Sequence, residues 1–371
     1  MKKVFFLVPT LAGGGAERVM QNILRKLDMT VFQPSLILFE RKTDLQEELP
    51  EGINIKVIKG DGNRWLVLFR LIRLLRQDPP EVLLSFLWYP NALSILASLV
   101  SGKRMKVVVS ERVSTFDLGM DIENILRKCV IRWLYPKADL IIVPARAMAN
   151  DISASSGSRV IVIHNPVDIP HVRTLSEEKV DHPWFAGDIP MIIGIGRLEH
   201  QKGFDYLIRA VALLRENGVR CRLVILGEGS ERSHLDSLIV QCGLRETATL
   251  IGFQQNPYKY LARSTVFALS SLYEGFPNVL LEALCLGVPS IATRCPTGPE
   301  EIITDGVDGI LVPPGDEKAL AEAIKRVLSD EDLRKKLSES GKKRAEDFRV
   351  EKIIRQYEDV IESICAGSAE R

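Results

Sequence analysis

Residues 266–286 read VFALSSLYEGFPNVLLEALCL. Residues 266–270 form a short, mostly apolar run, which predicts a buried β-strand. Apolar residues at helical spacing after Pro277 predict a helix over Asn278–Leu286. Pro277 suits the first turn of this helix, where its missing N–H is not needed. We therefore expect Glu274 in the loop after the strand and Glu282 about two turns inside the helix. Open α/β sheets bind their ligands in this region, and ionised carboxylates there can accept several hydrogen bonds from sugar hydroxyls.

Short apolar strands alternate with longer helical stretches in two series, which predicts two parallel sheets covered by helices on both faces. The predicted strands of the first series are Val4–Val8, Ser35–Phe39, Ile53–Ile58, Val82–Phe86, Val107–Glu111, Leu140–Val143 and Val160–His164. Those of the second series are Met191–Gly194, Arg222–Leu226, Thr249–Phe253, Val266–Ser270, Ser290–Thr293 and Gly309–Val312. The stretch Asn165–Asp188 holds four prolines or glycines and many charges, and we interpret it as a linker. The predicted domains are residues 1–170 and 171–371.

Length and composition favour a soluble, two-domain protein. The chain has 371 residues, of which 46% are hydrophobic and 26% charged. No stretch of 18 apolar residues occurs, and the apolar run at the N-terminus is too short for a signal peptide, so we predict no membrane span. Six cysteines are scattered singly without a Cys-x-x-Cys pair, which favours the reducing cytoplasm.

A glycine run, Gly13–Gly15, follows the first predicted strand and precedes a predicted helix over Glu17–Leu27. Glycines at this position let backbone N–H groups approach an anionic ligand, although a tight turn without a ligand has the same pattern. Arg18 stands where the dinucleotide fingerprint requires its last glycine, so the run does not support a dehydrogenase.

Four motifs follow one another along the chain: Gly13-Gly-Gly-Ala-Glu-Arg18, Gly196-Arg-Leu-Glu-His-Gln-Lys-Gly203, Gly227-Glu-Gly229 and the Glu-x7-Glu pair Glu274 and Glu282. Together they resemble family 4 glycosyltransferases, retaining enzymes with two Rossmann-like domains. The resemblance extends from Val4 to about Tyr357. It implies an α/β protein of the GT-B fold, in which two Rossmann-like parallel-sheet domains face each other across a cleft. It also implies that the last helix, near residues 351–364, crosses back to the first domain.

The resemblance implies a catalytic set and a donor-binding set. The catalytic set is Arg197, Lys202 and Glu274. The donor-binding set is Gly14, Gly15, Glu228, Phe276, Pro277, Asn278, Val279 and Glu282. Two fixed cations stabilise the charge that grows on a departing diphosphate, but Arg197 and Lys202 can also be solvated charges at a turn. We expect Lys202 to face solvent.

No metal or other cofactor is predicted. The five histidines are isolated, and no His-Glu-x-x-His motif occurs. Asp330-Glu331-Asp332 superficially offers an Asp-x-Asp metal motif, but it follows Ser329 and opens a helical run, so we interpret it as helix capping.

The predicted acceptor contacts in the first domain are Arg18, Glu111 and Arg112. Many relatives place a histidine shortly after Ser-Glu in this part of the chain, whereas here Arg112 follows Ser110-Glu111. The role of the family histidine therefore does not transfer directly.

A further motif, Thr297-Gly-Pro-Glu-Glu-Ile302, resembles a variant found in transferases of lipopolysaccharide and lipid-linked oligosaccharide assembly.

The first domain is basic and the second is acidic. Residues 1–165 carry 23 Lys and Arg against 16 Asp and Glu, a balance of +7, and the remainder has a balance of −6. In Arg64–Arg76, basic residues recur on successive turns among apolar ones, and the stretch Leu126–Pro136 repeats this theme. Ordinary packing with arginines in solvent gives the same pattern. The alternative is attachment to an anionic bilayer, with contacts from Trp65, Arg70, Arg73 and Arg76.

These observations predict a glycosyltransferase that moves a sugar from a nucleotide sugar, in particular a UDP-sugar, to a saccharide acceptor linked to polyprenyl diphosphate or another lipid. The protein is then expected at the cytoplasmic face of the inner membrane, without a nucleic-acid partner. Transfer to a soluble acceptor, a UDP-sugar epimerase on the same architecture, and a non-enzymatic sugar- or nucleotide-binding module are the alternatives.

Overall fold

In a computed structural model the chain forms two α/β units, and the structure describes residues 1–40, 49–113 and 122–367. Unit 1 comprises Met1–Pro166 together with Val350–Arg371, and unit 2 comprises Val167–Arg349. The strands are β1 (Lys2–Val8), β2 (Phe32–Leu38), β3 (Asn54–Val57), β4 (Val82–Phe86), β5 (Lys106–Ser110), β6 (Leu140–Val143), β7 (Val160–Val162), β8 (Met191–Ile195), β9 (Arg222–Leu226), β10 (Ala248–Gly252), β11 (Val266–Leu269), β12 (Ser290–Thr293) and β13 (Ile310–Val312).

The α-helices alternate with these strands. They are α1 (Gly15–Lys26), α2 (Arg64–Gln77), α3 (Trp88–Ser101), α4 (Ile122–Cys129), α5 (Arg146–Ser156), α6 (Ile169–Ser176), α7 (Phe204–Glu216), α8 (Arg232–Gln241), α9 (Tyr258–Leu261), α10 (Asn278–Leu286), α11 (Pro299–Ile302), α12 (Glu317–Ser329), α13 (Glu331–Ala345) and α14 (Val350–Ala366). A π-helical turn at Val130–Leu134 continues α4.

Each unit contains one parallel sheet. In unit 1 the strand order is β3-β2-β1-β4-β5-β6-β7, and in unit 2 it is β10-β9-β8-β11-β12-β13. The strands pair in parallel, which confirms the predicted fold class of two Rossmann-like sheets. The order reverses between β1 and β4 in unit 1 and between β8 and β11 in unit 2. Ligands of doubly wound sheets bind outside the carboxyl ends of the strands at such a switch point.

Helix α10 covers the residues predicted for it, from Asn278 to Leu286. All residues from Leu280 to Cys285 are buried, the charged Glu282 among them, so this helix is packed on several sides. It ends at Gly287, which has φ 70° and takes the left-handed conformation that terminates many helices. The loop before α10 is therefore held against a well-packed helix.

The stretch Asn165–Asp188, predicted to be a linker, contains helix α6. The Asp168 side chain caps this helix by accepting a hydrogen bond from the backbone N–H of His171 at 3.2 Å. Ile169 and Val172 are buried on its inner side. Because of its prolines and charges this stretch was interpreted as a linker, but it contains a short amphipathic helix.

The C-terminal helix α14 belongs to unit 1, although unit 2 precedes it in the chain. Its residues Ile353, Tyr357 and Ile361 are buried in the same core cluster as residues of β1 and β4. Lys2 of β1 forms an ion pair with Glu362 at 3.0 Å. Unit 1 is therefore built from two separate segments of the chain.

None of the helices in the described part of the chain is both long and apolar enough to cross a bilayer. The acidic run at the start of α13 caps that helix, as predicted, because Asp330 accepts a hydrogen bond from the N–H of Leu333 at 2.9 Å.

Candidate active site

The two central strands of unit 2 bring Lys202 and Glu274 together. Lys202 lies in the loop after β8, and Glu274 lies in the loop after β11. Because β8 and β11 are neighbours at the switch point, both loops leave the sheet at the same edge. The Lys202 Nζ atom lies 2.6 Å from Glu274 Oε1, and the two side chains are 15% and 7% exposed.

The expectation that Lys202 faces solvent was wrong. Its ammonium group is mostly buried and is paired with a buried carboxylate. Burying either charge alone would be costly, but an ion pair with further hydrogen bonds offsets much of that cost. The pair is therefore a buried unit of the site, in contrast to Arg197, which is exposed at the same turn.

Close backbone packing holds these loops, and it requires glycine at two positions. Gly203 has φ 57°, and a Cβ atom there would lie 2.3 Å from the carbonyl oxygen of Ser270. A Cβ atom at Gly227 would lie 1.8 Å from the carbonyl oxygen of Gly196. Neither position can accept a side chain without moving the backbone. The glycines of these two motifs thus bring the turns after β8, β9 and β11 into contact.

Glu228 follows β9 and lies beside the turn after β8. Its backbone carbonyl accepts a hydrogen bond from the N–H of Leu198 at 2.9 Å. Its side chain is 52% exposed and forms an ion pair with Arg232 at 2.5 Å. The donor-binding role of Glu228 stays a prediction, and its carboxylate is accessible to a ligand.

Glu282 is buried on α10, two turns beyond Glu274. Its Oε1 atom accepts a hydrogen bond from the hydroxyl of Tyr258 at 3.2 Å. Before it, Phe276 and Pro277 are buried, and the Phe276 ring packs against Phe348 with the ring centroids 5.8 Å apart. Asn278 and Val279, at the start of α10, are partly exposed.

Two buried thiols, those of Cys295 and Cys285, lie near this site. Burial raises the pKa of the Cys295 thiol to about 12, and the nearby negative charge of Glu274 adds to the effect. Burial likewise raises the pKa of Cys285 on α10 to about 12. Both thiols are therefore protonated at neutral pH and pack as small apolar groups.

In unit 1, the glycine run lies at the carboxyl end of β1. Gly14 is the N-cap of α1 and, like Gly15, is exposed, while Arg18 is partly exposed one turn later. This position is the switch point between β1 and β4. The predicted donor-binding role of Gly14 and Gly15 and the predicted acceptor role of Arg18 stay predictions.

Glu111 and Arg112 follow β5 and have partners inside unit 1. Glu111 is fully buried, and its carboxylate accepts hydrogen bonds from Tyr135 at 2.7 Å and from Arg127 at 3.1 Å. Arg112 is 8% exposed and donates to Asn165 at 2.7 Å and to the hydroxyl of Tyr357 on α14. These contacts give both residues a structural role, and their acceptor role stays a prediction without support from the geometry.

The network around Glu111 continues through buried neutral groups. Tyr135 is fully buried, and burial together with the Glu111 charge raises its pKa well above the ordinary value. It therefore stays a neutral donor. Its hydroxyl accepts a hydrogen bond from Asn91 at 2.9 Å, and Asn91 in turn accepts one from Ser85 at 2.8 Å.

The basic and apolar residues predicted on α2 share its outer face. Trp65 and Phe69 are 77% and 64% exposed, and the three arginines at positions 70, 73 and 76 are also exposed. On the segment formed by α4 and the π-helical turn, Ile122, Ile125, Leu126 and Trp133 are exposed. Arg127, one of the basic residues of the stretch Leu126–Pro136, is buried and donates to Glu111 instead.

Across the ranges 1–40, 49–113 and 122–367, no group of three or more His, Cys, Asp or Glu side chains is arranged to hold a metal ion. Lys202 and Arg197 contribute positive charge at the carboxyl edge of the unit 2 sheet, in the turn after β8.

Sequence reasoning missed several polar residues of these sites. Ser271 donates to Glu274 Oε1 at 2.6 Å, and Thr297 donates to the backbone carbonyl of Glu274. The only signal of Ser271 in the sequence is a hydroxyl residue close to the carboxyl end of a buried strand, whereas Thr297 begins the motif Thr297–Ile302, for which no contact with Glu274 was predicted. Tyr135, Asn91 and Tyr357 had no distinguishing signal, since buried tyrosine and asparagine are ordinary core residues.

Two parallel Rossmann-like sheets, with a cation and a carboxylate paired at the switch point of the second, are the architecture of GT-B proteins. A model described as Glycosyltransferase Family 4 matches residues 13–170, and one described as Glycosyl transferases group 1 matches residues 177–344.

The relatives agree with these matches. A protein of Campylobacter jejuni subsp. jejuni serotype O:2, named N-acetylgalactosamine-N,N'-diacetylbacillosaminyl-diphospho-undecaprenol 4-alpha-N-acetylgalactosaminyltransferase, is 31% identical over 369 residues, covering 96% of this chain and 98% of that protein. The lipopolysaccharide core biosynthesis glycosyltransferase LpsE of Rhizobium meliloti is 29% identical, covering 75% and 74%. The crystal structure of Anabaena HepE in complex with UDP-glucose has a TM-score of 0.84 at 20% identity, covering 98% of this chain and all of that one. The chain belongs to the family 4 glycosyltransferases.

Proposed function

We propose that this protein is a retaining glycosyltransferase that moves a sugar from a UDP-sugar to a saccharide carried on a polyprenyl diphosphate. The observation that carries the proposal is the buried pair of Lys202 and Glu274 at the switch point of unit 2. A carboxylate at this position can accept hydrogen bonds from hydroxyls of the transferred sugar. A cation beside it can stabilise a diphosphate as its charge develops.

The donor is proposed to bind to unit 2. In this proposal Glu282 accepts hydrogen bonds from ribose hydroxyls, while Arg197 and Lys202 contact the diphosphate. The choice of UDP is supported by Anabaena HepE, whose structures are described in complex with UDP and with UDP-glucose and which shares this fold. None of the sequence motifs supplies a recognisable contact for the pyrimidine base of UDP.

In the proposed reaction, the bond between the anomeric carbon and the diphosphate oxygen breaks while the acceptor oxygen bonds to the same carbon on the same face. The acceptor proton passes to the departing phosphate oxygen, so no protein base is required. Lys202 and Arg197 stabilise the negative charge on that oxygen more strongly in the transition state than in the ground state. Because two protein cations supply this charge, the proposal includes no metal ion.

The acceptor is proposed to be lipid-linked and bound by unit 1. Support comes from the relatives, since the Campylobacter protein is named for a diphospho-undecaprenol substrate and LpsE for lipopolysaccharide core biosynthesis. The outer face of α2 fits this proposal, because exposed Trp65 and Phe69 lie among arginines. Such a face binds the interface of an anionic bilayer. The protein would then act at the cytoplasmic face of the inner membrane.

The first test is calorimetric titration with UDP, GDP and ADP in a buffer that contains a chelator. Selective binding of UDP supports the donor and its independence from metal. Binding of GDP instead would retain the transferase and replace the donor class. If UDP binds only after a divalent ion is added, the metal-free mechanism is wrong.

The second test is transfer from a panel of UDP-sugars, including UDP-N-acetylgalactosamine, to a polyprenyl-diphosphate-linked saccharide. We expect a product whose new linkage has the anomeric configuration of the donor, as read by NMR. Inversion would contradict the retaining mechanism. Turnover that needs no acceptor and yields free UDP with a rearranged sugar would identify an epimerase instead.

A further inference from the structure

Glu274 is held at its carboxylate by two donors on one oxygen. Ser271 Oγ donates to Oε1 at 2.6 Å, and Lys202 Nζ lies 2.6 Å from the same atom. Ser271 is fully buried. The other oxygen, Oε2, accepts no hydrogen bond from any residue that the structure describes. The carboxylate is therefore oriented with one oxygen occupied and the other available.

The backbone of Glu274 is held by the motif that begins at Thr297. The buried Thr297 hydroxyl donates to the carbonyl oxygen of Glu274. Gly298 has φ 90°, and a Cβ atom there would lie 2.9 Å from the carbonyl oxygen of Gly275 and 2.8 Å from Pro277 Cδ. This motif, which the proposed reaction does not use, is packed directly against the loop that carries Glu274.

We propose that Ser271 and Thr297 are positioning residues, with Ser271 orienting the Glu274 carboxylate and Thr297 fixing its backbone for contact with the transferred sugar. The inference rests on the proposed function, because it takes Glu274 as a sugar contact. It adds two residues that the four family motifs of the sequence analysis did not contain.

The need for a second donor follows from the chemistry of lysine. The Lys202 ammonium sits on a flexible stem and has three donors, and in the proposed reaction it also contacts the diphosphate. As it moves toward that charge, its bond to Oε1 lengthens. The short, buried Ser271 side chain cannot follow, so its hydrogen bond keeps Oε2 directed at the sugar. A displacement of about 1 Å in such a group can cost about 10²-fold in rate.

The decisive measurement compares UDP with the intact UDP-sugar on Ser271→Ala. In the wild type, the donor is the member of the UDP-sugar panel that supports turnover. We expect Ser271→Ala to bind UDP with unchanged affinity, to lose about tenfold in affinity for the UDP-sugar, and to lose about 10–100-fold in kcat. Thr297→Ser retains the hydroxyl and should retain activity, whereas Thr297→Val should lose it.

Ser290→Ala is the matched control. Ser290 is also a fully buried serine of this sheet, but its hydroxyl donates to the carbonyl oxygen of Val288 at 2.9 Å, away from Glu274. Its substitution should leave both affinities and kcat unchanged. Ser271→Cys serves as a second variant if Ser271→Ala does not fold, and the same loss confined to the UDP-sugar is expected of it.

The outcomes separate the inference from the proposed function. If Ser271→Ala weakens UDP and UDP-sugar equally, or weakens neither and keeps kcat, the positioning role is wrong while the donor assignment stands. If Thr297→Val is as active as Thr297→Ser, the backbone role is wrong. If the wild type turns over no UDP-sugar, the proposed donor fails, and the positioning role is withdrawn with it.

Discussion

Lys202 combines a proposed catalytic role with a structural one in a single side chain. Because its ammonium group is paired with Glu274 in a mostly buried position, removing it leaves a buried carboxylate with Ser271 as its only side-chain donor among the described residues. Breaking a buried ion pair from one side typically costs about 3–5 kcal/mol. The solvated lysine expected from the sequence would contribute little.

Lys202→Ala should therefore lower both the turnover and the melting temperature. We expect a loss of about 10²–10³-fold in kcat, as for other groups that stabilise developing charge. Activity is measured well below the melting temperature, so that the folded fraction is the same for both proteins. Lys335→Ala, which removes an exposed lysine from a surface pair on α13, should change neither quantity. Full activity of Lys202→Ala would contradict the diphosphate role.

At the scale of single residues, the sequence predicted where a side chain lies if that residue belonged to a motif. Lys202 and Glu274 were predicted from spacing and resemblance, and both lie at the switch point. That they contact each other could not be predicted, since 72 positions separate them and only the strand order makes β8 and β11 neighbours. The same limit applies to Glu111, whose interpretation as an acceptor contact did not anticipate Tyr135.

Tyr135→Phe tests the buried network of unit 1. The substitution removes the donor to Glu111 Oε2 and the acceptor of Asn91, while the ring still fills its place in the core. We expect the free energy of unfolding to fall by about 1–3 kcal/mol, measured by urea denaturation. Tyr89→Phe is the control, because its buried hydroxyl has no hydrogen-bond partner within the described residues. Equal stability of the two variants would show that the network contributes nothing.

Among the elements, α2 shows how periodicity separates packing from function. Val67, Leu71 and Leu75 recur every four residues and are buried, which any amphipathic helix would require. The exposed face carries Trp65 and Phe69, which packing does not explain. The recurrence of basic and apolar residues on successive turns predicted this helix, and vesicle binding tests what its outer face contacts.

The double variant Arg73→Ala, Arg76→Ala should weaken binding to anionic vesicles. Each basic residue near such a surface contributes about 1 kcal/mol, so we expect roughly a 30-fold loss in flotation affinity at low salt. Activity on a detergent-soluble acceptor should be unchanged. The double variant Lys335→Ala, Lys343→Ala removes the same charge from α13 and should float like the wild type. Equal flotation of all three proteins would contradict the membrane proposal.

Element boundaries were predicted well where caps and breakers are strong. Helix α10 begins after Pro277 and ends at Gly287, and the predicted range was correct. Helix α6 was missed because Pro170 lies in its first turn and charged residues follow it, a pattern shared with loops. The capping side chain of Asp168 was the signal that distinguished the two.

For the whole molecule, both sheets were predicted with their seven and six strands, because parallel strands buried on both faces are continuous apolar runs. The order of strands within each sheet had no signal in the local pattern. The placement of α14 in unit 1 had been inferred only from the family resemblance, and it depends on long-range contacts such as that of Tyr357 with Arg112.

Removal of residues 350–371 should destabilise unit 1 selectively. The deletion exposes core positions that Ile353, Tyr357 and Ile361 occupy and leaves Arg112 without its tyrosine partner. Limited proteolysis with mass spectrometry should then show cleavage concentrated in residues 1–166, with residues 167–349 protected. Equal protection of both parts would mean that α14 contributes little to the core of unit 1.

The return of α14 to unit 1 has a consequence for the growing chain. Residues 1–166 emerge from the ribosome first, but that segment lacks the helix α14, which covers part of its core. At about 5–20 residues per second, synthesis of residues 167–349 takes roughly 10–40 s before the missing helix is made. During this interval unit 2 can fold from a continuous segment, whereas apolar surface on β1 and β4 remains exposed because α14 has not yet been made. The unit that begins first is thus completed last, and part of its core stays uncovered for roughly 10–40 s of synthesis.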